Sequence, residues 1–156
     1  MPADDYDRDD RDDEYDRRRP PRKYDEEGTE ITSDDTMWGM FAHLGLFLLG
    51  FLAPLIIFFI YKDKSPFVTR HAKAALNHTI TFILFVFGWM LVAVLIGFAV
   101  YGVSQEPIAG GVVGYILFLL GMITLSICQI VFIILATVAA SKGQYYRYPM
   151  SISFIG

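Results

Sequence analysis

Carboxylates nearly vanish from this chain after residue 36. Residues 37–156 hold two, Asp63 and Glu106, whereas residues 1–36 hold 15 of the 17 acidic side chains. That scarcity removes paired-carboxylate acid/base chemistry and oxygen-rich cation sites from most of the sequence. There is one cysteine, Cys128. It excludes an intrachain disulfide and a Cys-x-x-Cys site, and within its apolar run it reads as a small packing residue. Phosphate-cradling glycine loops and Ser or Cys nucleophile triads are also missing. The opening Met-Pro-Ala-Asp-Asp-Tyr-Asp-Arg lacks the basic start and short apolar stretch of a cleavable secretory signal, so insertion falls to the first internal span. No enzyme activity, cofactor or bound metal is expected.

What is abundant is apolar surface. Hydrophobic residues make up 54% of the chain and the mean hydropathy is +0.41, too oily for a soluble domain of 156 residues. Membrane lipid is the expected partner. The net charge of −4 conceals an N-terminal part of −8 and a remainder of +4, so overall acidity describes neither part and points to no nucleic-acid partner.

Two regions follow. Residues 1–34 form an acidic, arginine-rich tail with no apolar period that could offset ordering entropy, and are expected to be disordered. Residues 35–156 form a helical membrane domain, so the fold class is an all-α membrane protein with about three transmembrane helices. The first span, 37–61, is free of charge and starts after Asp34, Asp35 and Thr36, which suit an N-cap and first turn. Trp38 and Tyr61 mark its two interfaces. Gly50 and Pro54 fall mid-span, so this run is either a kinked full span or a re-entrant hairpin broken there. Ser65 and Pro66 start an amphipathic interfacial helix, 66–78, with Arg70, Lys73 and Asn77 on one side and Phe67, His71, Ala74, Ala75 and His78 on the other. It continues as the span 80–101.

A loop over 102–111 precedes a 33-residue apolar run, 108–140, whose span covers 112–140 and whose bend is expected near Gly121. Lys142 and Gly143 end it. Tyr145, Tyr146, Arg147, Tyr148 and Pro149 read as an anchor at headgroup level, and residues 150–154 carry a weak extended pattern. Basic residues put the 62–73 region and the C-terminal end in the cytoplasm. Three full spans would then leave the tail outside and a re-entrant first run would leave it inside.

His43, His71 and His78 are the side chains that titrate near neutrality, and His71 and His78 share a helical face. A metal joining them to His43 is conceivable by position, but too few ligands accompany them. Asn77 and Gln129 read as interhelical hydrogen-bonding groups. Gly110 with Gly114, and Ala93 with Gly97, are small-xxx-small pairs that fit close helix packing or a homo-oligomer.

The order of Trp38, His43-Leu44, Pro54, Lys62-Asp-Lys-Ser-Pro-Phe-Val68, His71-Ala-Lys-Ala-Ala-Leu-Asn77 and Lys142-Gly-Gln-Tyr-Tyr-Arg-Tyr-Pro149 resembles the Tic-twenty-like family. This is a group of small bacterial membrane proteins of unknown function named for a chloroplast import subunit. The likeness spans about residues 37–155, with His78-Thr79 and Gln144 departing from the pattern. It implies a helical membrane protein with no assigned reaction, and its motif positions together with the polar Gln129 give His43, Pro54, Pro66, His71, Asn77, Gln129, Tyr146, Tyr148 and Pro149 as the candidate structural or interaction residues. The expected role is a structural or accessory component of the bacterial inner membrane, multi-pass, working with other membrane proteins. The alternative is a part of a transport or protein-translocation assembly.

Overall fold

The computed structural model describes residues 23–25 and 28–156; the remainder of the expected disordered tail lies outside them. The chain divides after Ile31 into two units. In the first, β1 (Lys23–Tyr24) pairs antiparallel with β2 (Glu30–Ile31), Lys23 opposite Ile31 and Tyr24 opposite Glu30. Asp25 closes this short hairpin by accepting the Thr29 amide at 2.7 Å.

The second unit, 32–156, is helical. Its first helix, α1 (Ser33–Leu49), begins one turn earlier than the acidic residues suggest. Thr32 is the N-cap: its hydroxyl accepts the Asp35 amide at 3.1 Å while the Asp35 carboxylate accepts the Thr32 amide at 2.9 Å, a reciprocal capping box. The helix stops at Gly50, whose φ of +55° an L side chain rarely adopts. Then α2 (Leu52–Tyr61) starts, with Pro54 in its first turn, where its missing N–H leaves no helical bond unmade.

The first apolar run is therefore not one helix but a hairpin. As a single helix it would hold Trp38 and Tyr61 about 35 Å apart, yet their ring centroids lie 5.3 Å apart. A Cβ on Gly45 would strike the Ala53 methyl, so the two limbs touch near the turn. This corrects the reading of Trp38 and Tyr61 as markers of opposite interfaces: both lie at one end.

Ser65 caps α3 (Pro66–Ser104), accepting the Val68 amide at 3.3 Å with Pro66 in the first helical turn. The amphipathic stretch continues into the following span, as expected, in one 39-residue helix. Only Gln105 and Glu106 separate it from α4 (Pro107–Ser141), where a longer loop was expected. Gly143, at φ +69°, ends α4. The Gln144 amide reaches Ala139 O at 3.0 Å and the Gly143 amide reaches Ala140 O at 2.9 Å, a Schellman closure.

The helices α3 and α4 form an antiparallel pair whose backbones touch. A Cβ on Gly97 would come within 2.9 Å of Gly110 O, and one on Gly110 within 2.6 Å of Gly97 O. Both small-xxx-small pairs are thus spent on each other inside the chain. Gly121 leaves room for the Trp89 indole, which donates to Leu117 O at 3.0 Å. At about 58 and 52 Å, both helices exceed a ~30 Å hydrocarbon core. Within their most apolar 18-residue windows only 6% of α3 and 11% of α4 is buried. A soluble core helix hides such a surface, whereas these turn it outward, as lipid permits. Cys128 faces outward too, contrary to its reading as a packing residue.

The hairpin α1–α2 covers only the lower part of this pair. Gly39 lies against Phe67 and Ala140, so the start of α1, the start of α3 and the end of α4 meet at one base. The tip of α3–α4 lies far from that base, because both helices run on beyond the shorter hairpin.

Candidate functional site

The core of the base is polar at its centre. Small residues make room for it: Ala42 on α1, Ala72 and Ala75 on α3, and Ala136 and Ala140 on α4 are all fully buried. Into this space α1 projects His43 and α3 projects Phe67, His71 and His78 at helical spacing, with none of the four more than 6% exposed. His43 Nε2 lies 2.9 Å from His71 Nδ1, and the Tyr148 hydroxyl lies 2.9 Å from His43 Nδ1. Two proton arrangements satisfy both contacts with every ring neutral: Tyr148 donates to His43 and His43 to His71, or His71 donates to His43 and His43 to the Tyr148 oxygen. His78 stacks on the Tyr148 ring at 3.9 Å and 9°. Around this chain, Tyr145 stacks on His71 at 5.8 Å and carries Arg70 4.1 Å from its ring centre, while Tyr146 meets Tyr148 edge-on at 5.1 Å.

Three polar atoms at this site are buried without a hydrogen bond: Nε2 of His71, Nε2 of His78 and Oε1 of Gln129. His71 is turned toward the Gln144 backbone and His78 toward Gln129. Among the described residues no group of three or more His, Cys, Asp or Glu is placed to hold a metal ion. The two nitrogens that would have to converge on one are directed at each other.

The segment after α4 reaches this core because it re-enters the bundle. It rises along α3 past Tyr145 to Tyr148, turns at Pro149 and Met150, where Met150 has φ +64°, and descends again. On the way down α3 holds its backbone. Thr81 Oγ1 accepts the Ile152 amide at 3.0 Å, and Asn77 Oδ1 accepts the Phe154 and Ile155 amides at 3.0 and 2.9 Å. Asn77 Nδ2 donates to Ile155 O at 3.1 Å, and Lys73 donates to Gly156 O.

The sequence-derived candidates therefore sort by position. His43, His71 and Tyr148 form one hydrogen-bonded chain, with Gln129 and Tyr146 at its border. Asn77, read as part of a polar helix face, is instead buried and clamps the returning segment. Tyr148, read as a headgroup anchor, is 3% exposed in the core. Pro54, Pro66 and Pro149 shape chain turns and helix starts without entering the cluster. Thr81 and Lys73 were missed as clamp residues. Both stand one helical turn from Asn77, the only signal that could have joined them.

At the opposite end, a groove of about 690 Å³ opens between α3 and α4, lined by residues such as Met90, Val94, Phe98, Tyr101, Tyr115 and Phe118. Its walls are largely apolar, and the polar chemistry is confined to the base.

Residues 34–155, from the first turn of α1 to the end of the returning segment, match the family described as Magnetosome magnetite crystal formation protein family. The chain belongs to that family. This overturns the resemblance to the Tic-twenty-like group, whose motifs lie within the same residues, and with it the support for a translocation role. No curated protein and no solved structure matches the chain. The family match and the outward-facing apolar helices fit a membrane protein. The acidic tail up to residue 33 lies outside the match.

Proposed function

We propose that this chain is a non-enzymatic, multi-pass component of the magnetosome membrane that helps set how magnetite crystals form. The observation that carries this reading is the family match over 34–155, which nearly coincides with the helical unit 32–156. The function is accordingly assigned to the membrane domain as a whole, with its hairpin, two long helices and returning segment. In this reading α3 and α4 cross the bilayer and α1–α2 enters from one side and leaves by it. Lys62, Lys64, Arg70, Lys73, Lys142 and Arg147 all belong to the base, and such residues favour the cytoplasmic side. The Gln105-Glu106 tip then faces the compartment in which mineral grows. Membrane lipid covers the outward faces, and other membrane proteins or further copies of the chain are its working partners.

The test is genetic and mineralogical. In a magnetite-forming bacterium deleted for its own copy, the full chain should restore crystal size and number as measured by electron microscopy, and should fractionate with magnetosome membranes. Crystals unchanged by the deletion, or a chain recovered in the soluble fraction, would remove the proposal.

A further inference from the structure

The buried chain Tyr148–His43–His71 joins three parts of the base: the returning segment, α1 and α3. We propose that this chain is a proton-sensitive latch, closed when its imidazoles are neutral, whose protonation frees the returning segment 144–156 from the bundle. It is a property of the fold independent of the role in mineral formation.

The argument is one of proton count and charge. The 2.9 Å contact between His43 Nε2 and His71 Nδ1 has room for one hydrogen. With both rings protonated, two N–H groups would point at each other and the contact could not persist. Nor is there a counter-charge among the described residues. Facing the pair are Tyr148, with Tyr146 beside it, and His78 on α3, while His71 also lies beside Arg70 and Tyr145. The hairpin limb α2 carries Tyr61, which lies against Trp38, and α4 brings the uncharged Gln129. Among the described residues no carboxylate faces the cluster. A second positive charge there would remain uncompensated unless water entered, and burying an unpaired charge is more costly than exposing a short segment.

The returning segment is the part built to move. It is not helical, it forms no sheet ladder, and Met150, Ile152 and Phe154 are exposed. Tyr148 is its only member buried in the core. Losing the hydroxyl contact to His43 withdraws that anchor, and the segment is then held to α3 by the hydrogen bonds of Asn77, Thr81 and Lys73 alone.

The experiment places a nitroxide at Ser153 in the full-length chain on a Cys128→Ala background, in lipid nanodiscs, and follows its mobility from about pH 8 to about pH 3.5, reaching below the ordinary histidine range because charging a buried imidazole without a counter-charge is costly. The expected result is an ordered label at the upper end and a several-fold rise in its mobile fraction at the lower end. This transition should vanish in His43→Gln and in His71→Gln, whose amides cannot take up the proton. A second variant guards against misfolded glutamine proteins: Tyr148→Phe keeps the ring on His78 but removes the hydroxyl, and should leave the label partly mobile even at pH 8. A nitroxide at Val103, at the far tip, should not respond to pH. A label at Ser153 that stays ordered throughout, an unchanged transition in both glutamine variants, or a parallel change at Val103 would each overturn the proposal.

Discussion

Asn77 uses its whole amide to hold backbone, accepting from two N–H groups and donating to one carbonyl of the returning segment. No other side chain in the described residues is seen to tie so much of that segment, and water cannot easily replace it at a buried site. Asn77→Ala should therefore cost about 1–3 kcal/mol and loosen residues 150–156 first. The check is hydrogen exchange by mass spectrometry, in which peptides from this segment should lose protection while those from α4 keep theirs. Asp35 makes a different residue-scale case. Burial is the largest influence and works against its charge, but hydrogen bonds from Ser65 and Thr32 outweigh it and hold its carboxyl below the usual value. A lowered native value stabilises the fold fully above the unfolded carboxyl range near ~3.9, and the contribution is lost as pH falls through the native value. Asp35→Asn should thus be less stable than wild type at neutral pH, with a gap that closes in acid. Melting in detergent at several pH values measures it, and a gap independent of pH would contradict it.

Among the elements, the α3–α4 pair depends on glycine at the closest point of contact. A side chain at Gly110 would meet Gly97 O at 2.6 Å and the Tyr101 side chain at 2.9 Å, and the first of these is backbone that cannot rotate away. Gly110→Leu should separate the helices locally and cost at least the ~1–3 kcal/mol typical of overpacking, whereas the same change at Gly111, which meets nothing within 4 Å, should be nearly neutral. Thermal unfolding of the two variants in the same detergent compares them directly. This contact was partly legible in the sequence, because both small-residue pairs stood out by spacing, but spacing alone could not say whether they meet within one chain or between two. The hairpin was legible in the same limited way. Gly50 and Pro54 located the break, yet the direction of the second limb depends on Gly45 meeting Ala53, a contact that helical periodicity does not encode. The returning segment was least legible: Tyr145, Tyr146, Arg147 and Tyr148 have the composition of an interfacial anchor, and only the space left by Ala42, Ala72, Ala75 and Ala140 draws Tyr148 inward. Its partners stand about 70 and 105 positions away in the chain, beyond the reach of any local pattern.

For the whole molecule the decisive geometry is that the start of α1, the end of α2, the start of α3 and the end of α4 share one base, while Gln105 and Glu106 alone form the far tip. In the proposed membrane arrangement, two crossings and one hairpin leave the beginning and end of the membrane domain on a single side. In the proposed orientation the base faces the cytoplasm, which is the outer face of a vesicle lying inside the cell. In isolated magnetosomes a single cysteine at Asp63, on a Cys128→Ala background, should then react at once with an impermeant thiol reagent, and one at Glu106 should react only after the membrane is permeabilised. Reaction of both before permeabilisation would place the α3–α4 tip at the same surface as the base, and the two helices would lie on the membrane instead of crossing it. Reaction of Glu106 alone would reverse the orientation while keeping both crossings. The expected pattern requires Asp63 and Glu106 on opposite sides, since between them runs one continuous helix whose apolar face, open along nearly its whole upper length, has no protein to cover it and is long enough to need the full thickness of a bilayer.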